Sequence, residues 1–187
     1  MSKGGSDVKQ IQIAKTGYYL IAAIFYSLGI INLIHPFKAS LSVCNLSSII
    51  LIFYGIVKII GYYCDDLYSL AFQYDLASGL LLIIVGIIVL IWQSSIYNYL
   101  SKGMGLLILL DSLLKIHMAQ VAKKFGLETW YVILLLAIAA GIIAVLLIIE
   151  PFKQQILQQL IISLALIFEG MMNHYVIKNT VKLKHSY

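Results

Sequence analysis

Six long apolar segments, separated by short polar breaks, run along the 187-residue chain. They cover residues 17–35, 41–63, 74–92, 103–122, 130–149 and 155–177. Each has about 19–23 residues, enough for an α-helix to cross a hydrocarbon core of about 30 Å. Pro36 and Pro151 end the first and fifth segments, because proline cannot continue a helix without losing a backbone hydrogen bond. The pattern predicts an all-α integral membrane protein with six transmembrane helices.

The composition supports a membrane protein and argues against a soluble enzyme. The chain is 61% hydrophobic and 11% charged, whereas a soluble domain is about 45–50% apolar and about 25% charged. It contains no phosphate loop, nucleophile elbow, zinc motif or redox cysteine pair. We therefore expect no enzymatic activity, no catalytic residues, no cofactor and no metal, and we expect the lipid bilayer as the main partner.

The basic residues indicate how the chain is oriented. All 13 are lysines, and they lie mostly at segment ends, not in the single basic patch that nucleic-acid binding requires. Eight lie on the side shared by the two termini, and Lys38, Lys102 and Lys153 lie on the other. Cytoplasmic loops carry the excess of lysine, so we predict cytoplasmic tails at residues 1–16 and 178–187. Aromatic residues at segment ends, Tyr18 among them, are expected at the membrane interfaces.

An internal repeat relates the six segments. One sequence frame recurs with a small residue at the same position, at Gly29, Gly86 and Ala144, spaced 57 and 58 residues apart. Continued without gaps, the alignment reaches three further small residues, at Gly55, Ser112 and Gly170. The chain is therefore predicted to contain three helical hairpins, at about 17–63, 74–122 and 130–177.

Small residues at aligned positions suggest where helices pack. Without a hydrophobic drive inside lipid, membrane helices associate where small side chains let their backbones approach. The candidate packing residues are Gly29, Gly55, Gly86, Ser112 and Gly170 from the alignment, together with Gly141, which forms a small-xxx-small pair with Ala137 on the fifth segment.

Four ionisable residues lie within the segments, away from their ends: Lys58, Asp111, Lys115 and Glu169. Each would cost roughly 2.5–3.5 kcal/mol near the bilayer centre if unpaired, and their formal charges sum to zero. Asp111 and Lys115 can pair at i, i+4, and Glu169 is expected to contact Lys58. We predict one network in the cytoplasmic half of the bundle, which Tyr54 and Asn173 join from repeat-equivalent positions.

Three interpretations of these charges stay open. They could form an electrostatic clasp that fixes helix packing, or a proton or ion relay, since intramembrane acids often mark such paths. Lys58 and Lys115 could instead extend to the inner interface. No proline lies inside a segment, which argues against the broken helices common in transporters.

Residues 17–177 resemble the HdeD-like acid-resistance membrane proteins, a short-repeat family of mostly unknown function. The resemblance rests on four stretches: Tyr74–Ile88, Gly105–Lys115, Ala122–Gly126 and Glu169–Asn173. It implies six membrane helices in three hairpins and a link to acid or general stress tolerance at a bacterial plasma membrane. It implies no catalytic residues.

Two positions depart from a scheme shared by all three repeats. Gln93 stands where the outer repeats have proline, and Tyr54 stands where they have an acid. We expect a protein that acts without catalysis, through helix packing or association with a second copy or a membrane partner. The alternative is a proton- or ion-conducting channel or transporter that uses the intramembrane charges.

Overall fold

The computed structural model describes residues 3–35, 41–64, 72, 74–96, 99–150 and 155–181. These residues form seven α-helices and no strand: α1 Lys3–Ile34, α2 Leu41–Tyr62, α3 Asp75–Ile91, α4 Gln93–Ile96, α5 Leu100–Lys124, α6 Trp130–Ile149 and α7 Gln155–Thr180. The prediction of an all-helical fold is confirmed. Each predicted segment overlaps one helix of 17 or more residues, and α4 is a short additional turn. The predicted helix ends at Pro36 and Pro151 lie outside the described residues.

Five of the helices are long and apolar enough to cross a membrane: Gln10–Ile34, Ser42–Tyr62, Leu100–Lys124, Trp130–Ile149 and Ile156–Thr180. The apolar helix α3 has 17 residues, a length of about 26 Å. Large apolar side chains remain exposed on the outside of the bundle, for example Leu113, Leu135 and Ile142. Such a surface suits lipid rather than water, and these features together indicate a multi-pass membrane protein.

The helix α1 begins much earlier than the sequence analysis predicts. Residues 3–16 belong to this helix, although 1–16 is predicted to be a polar tail. Ile11 and Ala14 are buried and continue a stripe through Tyr18, Ile21 and Phe25. This spacing of three to four residues places them on one helix face. The stripe is narrow, and the polar residues around it hide its periodicity.

The closest helix packing joins α2 to α3, α5 to α6, and α7 to α1. The predicted hairpins 17–63, 74–122 and 130–177 are therefore not the most closely packed pairs. The contacts of α1 with α2 and of α6 with α7 are looser. The reason is the position of the small residues, which lie on the faces that meet the next repeat unit.

Equivalent backbone contacts occur at two of these three interfaces. A Cβ atom at Gly86 would lie 3.1 Å from the carbonyl oxygen of Ser48, and one at Gly29 would lie 3.0 Å from that of Ser163. Gly29 and Gly86 are aligned in the sequence repeat. The repeat is thus visible in the packing and closes cyclically, because the last long helix packs against the first.

At the third interface, between α5 and α6, the glycine lies on the second helix of its predicted hairpin and not on the first. A Cβ atom at Gly105 of α5 would lie 3.0 Å from the carbonyl oxygen of Ala144 of α6. On the same helix α6, Gly141 faces Ser112, whose Oγ would be 3.1 Å from an added Cβ. The small residues of α6 therefore face α5.

Two further predicted small residues lie at close backbone approaches nearer the charged residues. A Cβ atom at Gly55 would lie 2.6 Å from the carbonyl oxygen of Gly79, and one at Gly170 would lie 3.1 Å from that of Ala22. Side chains larger than hydrogen would therefore push α2 from α3, or α7 from α1. The α2–α3 contact brings Lys58 and Asp75 to the same depth.

Candidate functional site

Eight polar side chains meet in the interior of the bundle and are called the charge cluster here: Tyr18, Tyr54, Lys58, Asp75, Asp111, Lys115, Glu169 and Asn173. They come from α1, α2, α3, α5 and α7. Seven of them are buried, with 2–4% of their surface exposed, and the Asp111 side chain is 12% exposed. The cluster therefore lies inside the protein and not at the lipid surface.

Lys58 forms the first half of the charge cluster. Its Nζ lies 3.1 Å from Asp75 Oδ1 and 3.1 Å from Asp111 Oδ1. The Tyr18 hydroxyl donates a hydrogen bond to Asp75 Oδ2. Close packing of α2 on α3 places Lys58 against Asp75, and this ammonium group links α2, α3 and α5.

Lys115 forms the second half. Its Nζ contacts Asp111 Oδ2 and lies 3.4 Å from Glu169 Oε1. It also donates a hydrogen bond to Asn173 Oδ1, 2.9 Å away. Because Asp111 contacts both Lys58 and Lys115, it joins the two halves into one network.

Tyr54 and Asn173 complete the second half with neutral groups. The Tyr54 hydroxyl donates to Asn173 Oδ1 at 2.9 Å and lies 3.4 Å from Glu169 Oε1. Asn173 Nδ2 donates to Glu169 Oε1 at 3.1 Å. Lys58 Nζ is also 5.1 Å from the centre of the Tyr54 ring, within range of a cation–π contact.

The structure brings together all six residues of the candidate network. The expected contact of Lys58 with Glu169 is wrong, since Lys58 pairs with Asp75 and Asp111, whereas Glu169 pairs with Lys115. The extension of the lysines to the interface is also wrong. Lys58 and Lys115 are each only 4% exposed, because carboxylates hold both ammonium groups inside the bundle.

Sequence reasoning missed Asp75 and Tyr18 as members of the charge cluster. Tyr18 is expected at the interface but is 3% exposed. Tyr18 lies four residues before Ala22, and Asp75 lies four residues before Gly79, which the repeat aligns with Ala22. Ile133 stands at the equivalent position of the third repeat. This alignment is the signal that could have found them. With Asp75 included, three carboxylates face two ammonium groups, so the formal charge is −1 and not zero.

Two buried carboxylate oxygens of the cluster, Asp111 Oδ2 and Glu169 Oε2, have no hydrogen-bond donor among the described residues, and Asp111 Oδ2 contacts the Lys115 ammonium group instead. Glu169 Oε2 receives no hydrogen bond from the described residues, although the whole side chain is 3% exposed. Buried carboxylate oxygens normally have a partner, because an unpaired one keeps the full cost of its desolvation. An oxygen without a donor and an excess of negative charge thus occur in the same cluster.

A cavity of about 430 Å³, the α3/α5 pocket, reaches this carboxylate. Its wall is almost entirely apolar, and its polar residues are Tyr54, Ser78, Asp111 and Glu169. It lies where α3 and α5 have little direct contact. Just before the start of α3, the Tyr74 ring lies 5.7 Å from the His117 ring of α5.

Two other cavities adjoin this region. One of about 20 Å³ lies among Tyr18, Lys58 and Asp111, which is room for a single water molecule. The other, of about 460 Å³, is lined near the start of α5 by Ser101 and Glu150. Four apolar residues line both this cavity and the α3/α5 pocket: Phe25, Leu51, Met104 and Leu166.

The described residues include no group of three or more histidine, cysteine, aspartate or glutamate side chains that could hold a metal ion. What the charge cluster offers chemically is different. It can hold five helices in one arrangement, exchange a proton at a carboxylate, or accept a cationic group.

Comparisons with known proteins agree with the repeat. Residues 20–91 and 77–149 both match the family described as "Short repeat of unknown function (DUF308)". The matches begin 57 residues apart and end 58 residues apart, which confirms the internal repeat. Searches of the curated proteins and of the solved structures gave no match. Because the two matches together cover residues 20–149, more than half of the chain, the protein belongs to the DUF308 short-repeat family.

Proposed function

We propose that this protein is an HdeD-like membrane protein that contributes to acid or general stress tolerance at a bacterial plasma membrane. It acts without catalysis, through helix packing and association with a second copy or a membrane partner. The observation that carries this proposal is the linkage of five helices by one buried network in which each lysine contacts two carboxylates. Such a network favours a clasp that keeps the bundle assembled.

The proposed topology has six spans and cytoplasmic termini. The sixth span is α3, which occupies the same repeat position as α1 and α6, and Tyr74 and Trp92 extend it at its ends. The excess of lysine on the side of the termini supports the orientation. Cysteines introduced at Ser2 and Ser186 should react with an impermeant maleimide only after the cells are broken. Labelling of either position in intact cells would contradict the topology.

Survival of a deletion strain tests the stress role. Expression of the wild-type chain should restore survival after an acid shock, whereas Lys58→Met should restore it poorly at equal membrane abundance, because the clasp loses its first ammonium group. Lys102→Met is the matched control, since Lys102 pairs with Glu150 at the exposed rim. Equal survival of the deletion and wild-type strains under acid and other stresses would refute the proposed role.

A second candidate function is proton or ion conduction through the bundle. It is favoured by the two large cavities, which share an apolar wall and together extend from Glu150 to Asp111 and Glu169. In this mechanism Asp111 and Glu169 carry the proton between the two large cavities and the small cavity of about 20 Å³. Liposomes that contain the protein should then collapse an imposed pH gradient, and Glu169→Gln should slow the collapse. A rate equal to that of empty liposomes would exclude this function.

A further inference from the structure

We propose that the α3/α5 pocket is a binding site for a small lipophilic amine, whose ammonium group binds Glu169 and whose apolar body fills the pocket. This inference goes beyond the stress role and does not depend on it. It rests on the shape of the pocket, the chemistry of its wall and the charge at its inner end.

The pocket opens toward lipid near the middle of the membrane. Leu81, Leu110 and Leu113 line it and are 39%, 39% and 54% exposed, so they form its mouth on the outer surface of the bundle. Asp111 lies eleven residues along α5, or about 16 Å from Leu100. A solute dissolved in the hydrocarbon core can therefore enter sideways, while a phospholipid headgroup stays at the interface.

The size and the wall fit a compact apolar ligand. The cavity of about 430 Å³ falls in the range of about 300–1,000 Å³ that is typical of small-molecule sites. Such sites combine an apolar wall with a few convergent polar groups. Here the polar residues are Tyr54, Ser78, Asp111 and Glu169, and the rest of the wall is mostly leucine with isoleucine, methionine and phenylalanine.

The inner end of the pocket selects the charge of the ligand. Asp75, Asp111 and Glu169 carry three formal negative charges, and Lys58 and Lys115 carry two positive ones. Glu169 Oε2 also has no donor among the described residues. A primary ammonium group supplies both missing features, one positive charge and a hydrogen-bond donor. An alcohol supplies only the donor, and a carboxylate adds a fourth negative charge.

Three probes that share one apolar body test the selection: phenylbutylamine, phenylbutanol and phenylpentanoate. Binding to the full chain in phosphatidylcholine nanodiscs is measured by ligand-observed NMR, with empty nanodiscs as the partition control. The amine should bind about tenfold or more tightly than the alcohol, because its positive charge forms an ion pair with the Glu169 carboxylate in addition to the hydrogen bond that the alcohol can also donate. The carboxylate should bind most weakly.

Glu169→Gln is the first test variant, because it keeps the shape and an acceptor oxygen for Lys115 and Asn173. It should weaken binding of the amine about tenfold and leave binding of the alcohol nearly unchanged. A second pair of variants does not alter the charge cluster. Ala77→Trp should block all binding, since Ala77 lines the pocket. Leu76→Trp is the matched control and should leave binding unchanged, since Leu76 is the neighbouring exposed residue and does not line the pocket.

Several results would overturn the proposal. Equal binding of amine and alcohol would mean that Glu169 holds a proton and offers no charge. Unchanged binding of the amine to Glu169→Gln, or equal effects of the two tryptophan variants, would place the ligand elsewhere. Displacement of the amine by phosphatidylethanolamine in the nanodisc would assign the pocket to a lipid. Absence of binding by all three probes would leave it filled by acyl chains.

Discussion

Lys58→Met should be among the most damaging single substitutions in this protein, and Asp75→Asn should partly rescue it. Lys58 Nζ is 3.1 Å from oxygens of both Asp75 and Asp111. At an effective dielectric constant of about 20, each contact is an attraction of about 5 kcal/mol, most of which offsets the cost of burying the charges. Removing the ammonium group leaves its carboxylates without that compensation, so we expect a loss of about 3–5 kcal/mol.

The double variant Lys58→Met with Asp75→Asn removes one positive and one negative charge together. Tyr18 can still donate to the amide oxygen that replaces Asp75 Oδ2, and Asp111 keeps its contact with Lys115. The double variant should therefore be more stable than Lys58→Met alone, by about 2 kcal/mol, because a lone buried charge costs more than no charge.

Unfolding in mixed micelles of dodecyl sulfate and a mild detergent, followed by circular dichroism, measures these differences. Lys102→Met is the control, since its ion pair with Glu150 is partly exposed, and its loss should change the free energy of unfolding by less than about 1 kcal/mol. If the two substitutions destabilise additively, or if Lys58→Met behaves like Lys102→Met, the buried network does not hold the bundle together.

Three further substitutions test the helix interfaces in the same unfolding assay. Gly55→Val should cost more than about 2 kcal/mol by overpacking, since a Cβ there lies 2.6 Å from the carbonyl oxygen of Gly79; a stable, unchanged bundle would contradict the contact. Gly103→Ala should instead stabilise the protein by up to about 1 kcal/mol, because Gly103 is helical with nothing within 4 Å of its Cβ position, and a loss would indicate a hidden contact. Asn32→Leu removes a hydrogen bond from Nδ2 to Ser163 Oγ at 2.8 Å and should cost about 0.6–1.7 kcal/mol; no loss would mean that the bond adds no stability.

The sequence predicts the helices well because a single physical requirement sets their length and composition. A span must be long and apolar, and the few charges inside it must find partners, which is why the amino-acid sequence alone groups Lys58, Asp111, Lys115 and Glu169. The repeat also places Tyr54 beside them, since equivalent residues on equivalent helices reach the same depth.

The pairing of the helices does not follow from the sequence in the same way. A small residue such as Gly86 indicates that the backbone of another helix comes close at that position, but it does not identify which helix. The predicted hairpins therefore follow chain order. Asp75 gives no signal of its own because it begins α3, where an acid usually needs no explanation. Its burial comes from the packing of α2 on α3, which puts Lys58 beside it, and this is a property of the tertiary structure alone.

The packing of α7 against α1 has a consequence for biosynthesis. Helix α1 leaves the ribosome before α2–α7 and finds its closest partner only when α7 has been inserted, whereas α2 with α3, and α5 with α6, can pair soon after they are made. Until then Gly29 and the Asn32 side chain have neither Ser163 nor Gln159 to contact. A nascent chain that stops before α7 therefore exposes a small, polar helix face inside the bilayer, a surface that favours association with another membrane helix until α7 covers it.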